Sequence, residues 1–375
     1  MKLKRKVQYS ILLGLLMGHL VMASEVTASS PAIPSDADSS NRLTVSVDPR
    51  IELLAVVQLL SDYKGFNGMP VLTQLEFPYR DAITDSFSPF KDHKAVRLFS
   101  EMSQQGFWYG QPPHSMLHLG SPPQLKELVE FDPFIVERAG GQEKLELFLD
   151  VLRDFAVESR FMEFFNANAH VYEKMVASYR ERISRNYIAD IEQYFGVRQR
   201  SYNVVLAPLF HCGGFGPRIK RGEGVYDVYN LGGPCKVVDG EPEFGSEGNI
   251  RRLFWHEFGH SFVSHLTDQY VETLLAPSRI LLGEKFVPDQ AEVQVAEFAS
   301  EHILRAVTTR LAILKLSAAE GQAALETEQS QGFPLVEEIC RALVVYEKNR
   351  DRYATLADFY PELILVFDRL AREEG

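Results

Sequence analysis

Cysteine is scarce in this chain. Three residues, Cys212, Cys235 and Cys340, are too few for a disulfide framework, and none belongs to the Cys-x-x-Cys pair of a thiolate zinc site. At most one internal bridge can form. Cys212 and Cys235 flank a Gly-rich, hairpin-like segment, and joining them would close a loop worth roughly 3 kcal/mol in the chain-entropy model. Three reduced thiols is the alternative that the spacing leaves open. Basic charge is also short: 39 Lys and Arg against 51 Asp and Glu leave a formal net charge of -12. That sign argues against nucleic acid and anionic membrane surfaces as partners. Beyond the N-terminal region no apolar run reaches the ~18 residues of a membrane span, so no stable membrane anchor is expected. No internal repeat is evident, which sets aside a repeat architecture.

What is present is an ordinary globular balance, 45% hydrophobic and 24% charged over 375 residues, enough for one large core or two smaller ones. Lys2, Lys4, Arg5 and Lys6 precede an apolar run from Ile11 to Met22 that ends in Val21-Met22-Ala23. Positive start, short apolar run and small-residue cleavage signature make residues 1–23 a secretory signal peptide. No cysteine follows to carry a lipid, so a secreted or periplasmic protein is expected. Residues 24–42 are rich in Ser, Ala, Pro and Asp, with too little apolar surface to offset ordering, and read as a flexible linker. Residues 43–140 then read as an N-terminal helical region and 141–375 as the region carrying the chemistry.

Along the globular part, Val45 and Val47 alternate as in a short strand. Asp48 and Pro49 form a helix start with Asp as N-cap and Pro at the first helical position. Leu145 to Ala156 and Tyr172 to Tyr194 follow helical spacing and read as two long amphipathic helices, the second ended by Gly196. Tyr202 to Phe210 reads as a strand, His211 to Gly216 as a glycine-rich turn and Gly224 to Gly233 as another strand. Asp289, with Glu292 three residues on, has the pattern of a capping box. Residues 333–370 read helical, broken near Pro361. The order predicts an α+β fold, predominantly helical, with a small mixed sheet beside the helix described next.

That helix carries Trp255-His256-Glu257-Phe258-Gly259-His260-Ser261-Phe262. Four residues apart on one helix, His256 and His260 project from one face, where two imidazoles can share a zinc ion. Trp255, Phe258 and Phe262 form a separate apolar stripe that anchors the helix. Glu257 adjoins the first histidine, where its carboxylate can take a proton from a zinc-activated water and pass it to a leaving amine. Glu297, Glu301 and Arg305 stack on one face of a later helix, a row that can face a metal or stand as a solvated stripe.

The order of long helices, strand, Gly-rich turn, strand and His256-Glu257-x-x-His260 resembles a zincin, and more narrowly a gluzincin, in which a glutamate from a later helix completes the zinc site. The chain also resembles a family of exported bacterial proteins known only as a domain of unknown function. Asp48-Pro49-Arg50-Ile51-Glu52-Leu53-Leu54 matches its opening block, His256 to Phe262 its zinc motif and Glu301-His302-Ile303-Leu304-Arg305-Ala306 a later helical block. Val263 and Leu266 stand where a metzincin needs Gly and His, which excludes that class. Arg305 stands where the thermolysin-like pattern has Asp.

The resemblance implies a zinc-dependent peptidase acting on a peptide or protein substrate, with His256, His260 and a glutamate as metal ligands and Glu257 as general base. Glu301, Glu297 and Glu284 compete for the third ligand. Glu301 is preferred because Arg305, one turn on, can keep its carboxylate ionised and oriented, and because it heads the matching block. Tyr202 to Phe210 is the strand expected at the substrate edge, and His211, Tyr229, His265, Tyr270 and Arg305 are possible oxyanion donors. The alternative function is a zincin-shaped protein that binds zinc or peptide without turnover, against which the intact Glu257 argues.

Overall fold

The computed structural model describes residues 42–374 apart from 64, 66–69, 184–185 and 223–224; the expected signal peptide and nearly all of the linker lie outside these residues. In chain order the elements run β1 (Leu43–Ser46), α1 (Pro49–Leu60), α2 (Pro78–Phe87), α3 (Lys94–Gln104), α4 (Gln111–Leu117), α5 (Pro133–Arg138), α6 (Gln142–Glu158), α7 (Phe161–Ala167), α8 (Ala169–Arg180) and α9 (Tyr187–Phe195). The sheet segment follows with β2 (Ser201–Leu206), β3 (Gly213–Phe215), β4 (Arg218–Gly222), β5 (Val225–Gly233), β6 (Lys236–Val238) and β7 (Glu241–Glu243). Then come α10 (Glu247–Asp268), α11 (Val271–Leu282), α12 (Ala291–Lys315), α13 (Ala318–Ser330), α14 (Val336–Lys348) and α15 (Leu356–Glu374). The fold is α+β and mostly helical, as expected.

The chain forms two compact units. The first contains the described residues up to Ile188 together with Gln199–Phe258. Its sheet has the order β1-β2-β5-β3, with β4 also paired to β5. β1, β2 and β5 are parallel, in register at Val45↔Val204 and Val204↔Asn230, while β3 and β4 run antiparallel to β5. Asp48 caps α1 as predicted, its carboxylate accepting from the Arg50 N–H at 2.9 Å. Away from the sheet, Phe87, Phe99, Phe107, Phe148 and Phe155 are fully buried and meet at ring separations of 6.0–6.5 Å, within the range where aromatic pairs attract.

One carboxylate lies inside this first core. Glu52 on α1 is 1% exposed and accepts from the Tyr79 hydroxyl at 2.7 Å, which lies 2.8 Å from the Tyr172 hydroxyl. Burial, offset only in part by the Tyr79 hydrogen bond, pushes the Glu52 carboxyl up to about 8. The folded chain therefore holds a proton that the unfolded chain has lost between pH 4.5 and about 8, so stability falls as pH rises through this window, by at most about 1.4 kcal/mol per pH unit from this group. Glu52→Gln supplies a permanently neutral acceptor for Tyr79. The variant should show a flatter loss of thermal stability than the wild type from about pH 5 to 8; parallel curves would mean that Glu52 titrates normally.

The second unit contains Ala189–Arg198 and the described residues from Gly259 onward, so α10 belongs to both. Its core is helix on helix: α12 packs against α11, α13 and α14, and α11 against α15. Phe195 stacks flat on Phe262, centroids 4.6 Å apart. The Tyr346 hydroxyl and the Arg350 guanidinium both donate to the Tyr194 carbonyl, which ties the end of α9 into this unit.

Several local expectations are corrected. The single helix expected over Tyr172–Tyr194 is two, α8 and α9, separated by a turn that begins at Glu181; apolar spacing continues across the break, and spacing alone does not register a turn. The segment read as a turn contains a strand, β3, because its glycines pair with β5 at Gly213↔Gly233 and Gly214↔Gly232. Asp289 caps nothing: it lies in a short 3-10 turn, Pro288–Gln290, and α12 starts after Gln290 without a side-chain cap. Gln294 instead bonds the preceding loop, accepting from the Val287 N–H and donating to the Lys285 carbonyl. Pro361 does not break the last helical region; it sits inside α15, where its missing N–H removes one intrahelical bond without ending the helix. The interruption falls earlier, between Lys348 and Leu356.

Cys212 and Cys235 are joined. Cys340 is buried and reduced, its thiol pushed up to about 12 by burial, which makes it unreactive at neutral pH.

Candidate metal centre

Helix α10 sets the geometry, and its aromatic residues hold it. Phe254, Trp255, Phe258 and Phe262 are all at most 3% exposed. In the first unit Tyr202 of β2 meets Phe258 edge-on at 5.2 Å, and Tyr187 meets Phe254 and Trp255 at 5.7 and 6.4 Å. In the second, Phe262 rests on Phe195. Gly259 lets α10 and α12 approach: a Cβ there would fall 2.3 Å from Leu304 Cδ1.

This close passage brings Glu301, one turn before Leu304 on α12, against His260. Glu301 Oε1 lies 3.3 Å from His260 Nε2. His256 precedes His260 by one turn, and one ligand atom from each of His256, His260 and Glu301 falls within 4.8 Å of the other two. Two imidazoles and one carboxylate are a donor set suited to zinc, leaving a fourth position of the tetrahedron for water or substrate. The residues present fit the metal. His260 is 2% and Glu301 9% exposed, whereas His256 is half-buried.

Glu301 is also held from one turn further along its own helix. Arg305 Nε donates to Glu301 Oε2 at 3.0 Å, the oxygen that does not face His260. Burial raises the Glu301 carboxyl above its ordinary range, and the Arg305 guanidinium opposes the rise without cancelling it.

Glu257 is 7% exposed and lies against the glycine-rich segment. A Cβ on Gly214 of β3 would stand 2.8 Å from Glu257 Oε1, and one on Gly216 would stand 2.4 Å from the Glu257 carbonyl oxygen. Only hydrogen fits at these two positions, which is why strand and helix touch here. The Cys212–Cys235 disulfide ties the start of this segment to the chain just beyond β5.

The structure thus brings His256, His260 and Glu301 together, with Glu257 next to His256 in sequence. Glu297, one turn before Glu301, is half-buried and outside the group of possible ligands; Glu284 lies in the 3-10 turn Gly283–Lys285 and is outside it too. Tyr202–Phe210 is not an edge strand. Its regular part, β2, has β1 on one side and β5 on the other, which uses its backbone groups. The edge strand beside Glu257 is β3. Of the possible oxyanion donors, Arg305 is committed to carboxylates, Glu301 at Nε and Glu328 at Nη1, and His211 stacks its ring on Phe215. Sequence reading missed Gly214, Gly216, Glu328 and Phe333. The glycine cluster was a visible signal of close backbone approach; the other two had none.

A family model described as "Domain of unknown function (DUF4932)" matches residues 43–366. No match was found among curated proteins or solved structures.

Proposed function

The chain belongs to the DUF4932 family, a domain of unknown function, so its activity has to be read from its own residues, and we propose that it is a zincin-like, zinc-dependent peptidase exported from the cell. One observation carries this reading: a three-donor group of His256, His260 and Glu301 with a nearly buried carboxylate, Glu257, on the same helix as the histidines. A pure binding site needs the donors and has no use for that carboxylate.

Zinc held by His256, His260 and Glu301 would supply a Lewis acid that polarises the scissile carbonyl and lowers the pKa of water towards ~7. Glu257 accepts the proton of the attacking water and returns it to the leaving amine nitrogen. Gly214 and Gly216 restrict where its carboxylate can go, and so hold that proton acceptor in one place. β3 suits a peptide substrate: it is an edge strand, and an extended chain added to it by backbone hydrogen bonds runs past Glu257. Recognition of this kind uses backbone groups and tolerates varied side chains. Among the described residues no helix is long and apolar enough to cross a membrane; in this reading residues 1–23 serve as the leader for export.

Purified mature protein should contain about one zinc per chain and cleave members of a mixed peptide library. A chelator should abolish the cleavage and added zinc restore it. Stoichiometric zinc without chelator-sensitive cleavage would favour the binding protein over the enzyme, and no zinc uptake would remove the basis of both.

A further inference from the structure

Arg305 is a buried cation whose position has to be explained. It is 8% exposed and lies between two carboxylates, Glu301 on its own helix and Glu328 on α13, itself 5% exposed. Nε donates to Glu301 Oε2 at 3.0 Å, and Nη1 donates to Glu328 Oε2 and reaches Gln331 Oε1 at 3.4 Å. The face of the guanidinium rests on the Phe333 ring, 3.7 Å from its centroid, a stacking that Arg makes and Lys does not reproduce.

Glu328, Gln331 and Phe333 reach Arg305 together because one backbone motif arranges them. Helix α13 ends at Ser330, and Gly332 takes a left-handed φ of 95°. The Phe333 N–H then bonds the Glu328 carbonyl at 3.0 Å and the Gly332 N–H the Gln329 carbonyl at 3.1 Å. This is the double hydrogen bond of a Schellman cap, which returns the residue after the glycine over the last turn of the helix. The cap places a carboxylate at the edge of the guanidinium and a ring on its face, two restraints on a side chain that would otherwise sample many rotamers.

We propose that the C-terminal cap of α13 is a clamp that fixes the third metal ligand. Glu328 and Phe333 hold Arg305, Arg305 occupies Oε2 of Glu301, and Oε1 alone is left to meet the metal beside His260. Arg305, Glu328 and Phe333 are positioning residues: they touch neither metal nor substrate, and they impose single-oxygen coordination by Glu301. A carboxylate free at both oxygens can instead bind through two, filling the position that a catalytic site keeps open. This inference rests on the metal-site reading above and goes beyond it, since it assigns the geometry of the third ligand to the end of another helix, where Glu328 lies 23 residues along the chain from Arg305.

The test uses mature protein carrying Arg305→Lys, Glu328→Ala, Glu328→Gln or Phe333→Leu, with zinc affinity measured by competition with a chromophoric chelator. Arg305→Lys and Glu328→Ala should weaken zinc by ~10- to 100-fold, the range seen when a group supporting a ligand is lost. Glu328→Gln should recover most of the affinity, because its amide oxygen still accepts from Nη1. Thermal unfolding of the metal-free variants separates this from general damage. Cobalt(II) in place of zinc gives a second readout: the visible band should weaken in Arg305→Lys as a second Glu301 oxygen enters and the site leaves tetrahedral geometry. Variants with wild-type zinc affinity and the wild-type cobalt spectrum overturn the clamp alone. Wild-type protein that binds neither ion overturns the metal site and the clamp with it.

Discussion

Glu257→Gln should keep its zinc at about one equivalent and lose peptide hydrolysis by about 10²- to 10⁴-fold, the contribution expected of a positioned general base and acid. The amide matches the carboxylate in size, so the contact with Gly214 and Gly216, where there is no room for a Cβ, is preserved. What disappears is the ability to take a proton from water at neutral pH. The loss should fall on kcat with little change in KM, since proton transfer belongs to the transition state and the substrate binding proposed for β3 would use other groups. Zinc content and turnover measured on the same preparation decide the point. Full turnover would hand the role of base to another residue, and loss of zinc would make Glu257 part of the metal site.

The second large effect belongs to the third ligand. Glu301→Ala should reduce zinc affinity by more than ~100-fold, beyond what loss of a supporting hydrogen bond produces, whereas Glu297→Ala should cost no more than ~10- to 100-fold. The difference follows from the geometry: Glu301 Oε1 is 3.3 Å from His260 Nε2, and Glu297 lies outside the group whose ligand atoms converge. Glu301→Ala also removes one of the two carboxylates around Arg305, and leaving a buried charge underpaired is destabilising. Glu301→Gln avoids this, because its amide oxygen can still accept from Arg305 while the side chain has lost the charge that makes it a ligand. Chelator competition on all three variants tests the assignment. If Glu297→Ala strips the metal and Glu301→Ala retains it, the two roles must be exchanged.

Both predictions start from residues that were readable in order. His256, Glu257 and His260 are fixed relative to one another by helical spacing, so a continuous α10 suffices to place two imidazoles on one face, and the neighbouring aromatics mark the opposite, buried side. The cap at Asp48, the end of α9 at Gly196 and the Glu301–Arg305 pair were legible for the same reason: each is an interaction within a few residues of chain. Periodicity failed where a turn interrupts a continuing pattern, as between α8 and α9. It failed again at Asp289, where a capping sequence was present but the chain took a 3-10 turn first.

By itself, then, the sequence determined the helical motif, its two histidines, the carboxylate beside the first of them and a short set of later glutamates. Tertiary structure separated those glutamates, since the passage of α12 across Gly259 brings Glu301 to within 3.3 Å of His260 and leaves Glu297 and Glu284 outside the group of converging donors. It also decided which strand lies beside Glu257. A strand of Val and Leu looks alike at an edge or in the middle of a sheet, because composition reports burial and carries no record of neighbours; pairing put β2 inside and left β3, short and glycine-rich, at the edge. The link from Glu328 through Arg305 to Glu301 was invisible for a related reason. Its members are held by packing of α13 on α12, and contacts between helices depend on how the helices cross, which no local pattern encodes.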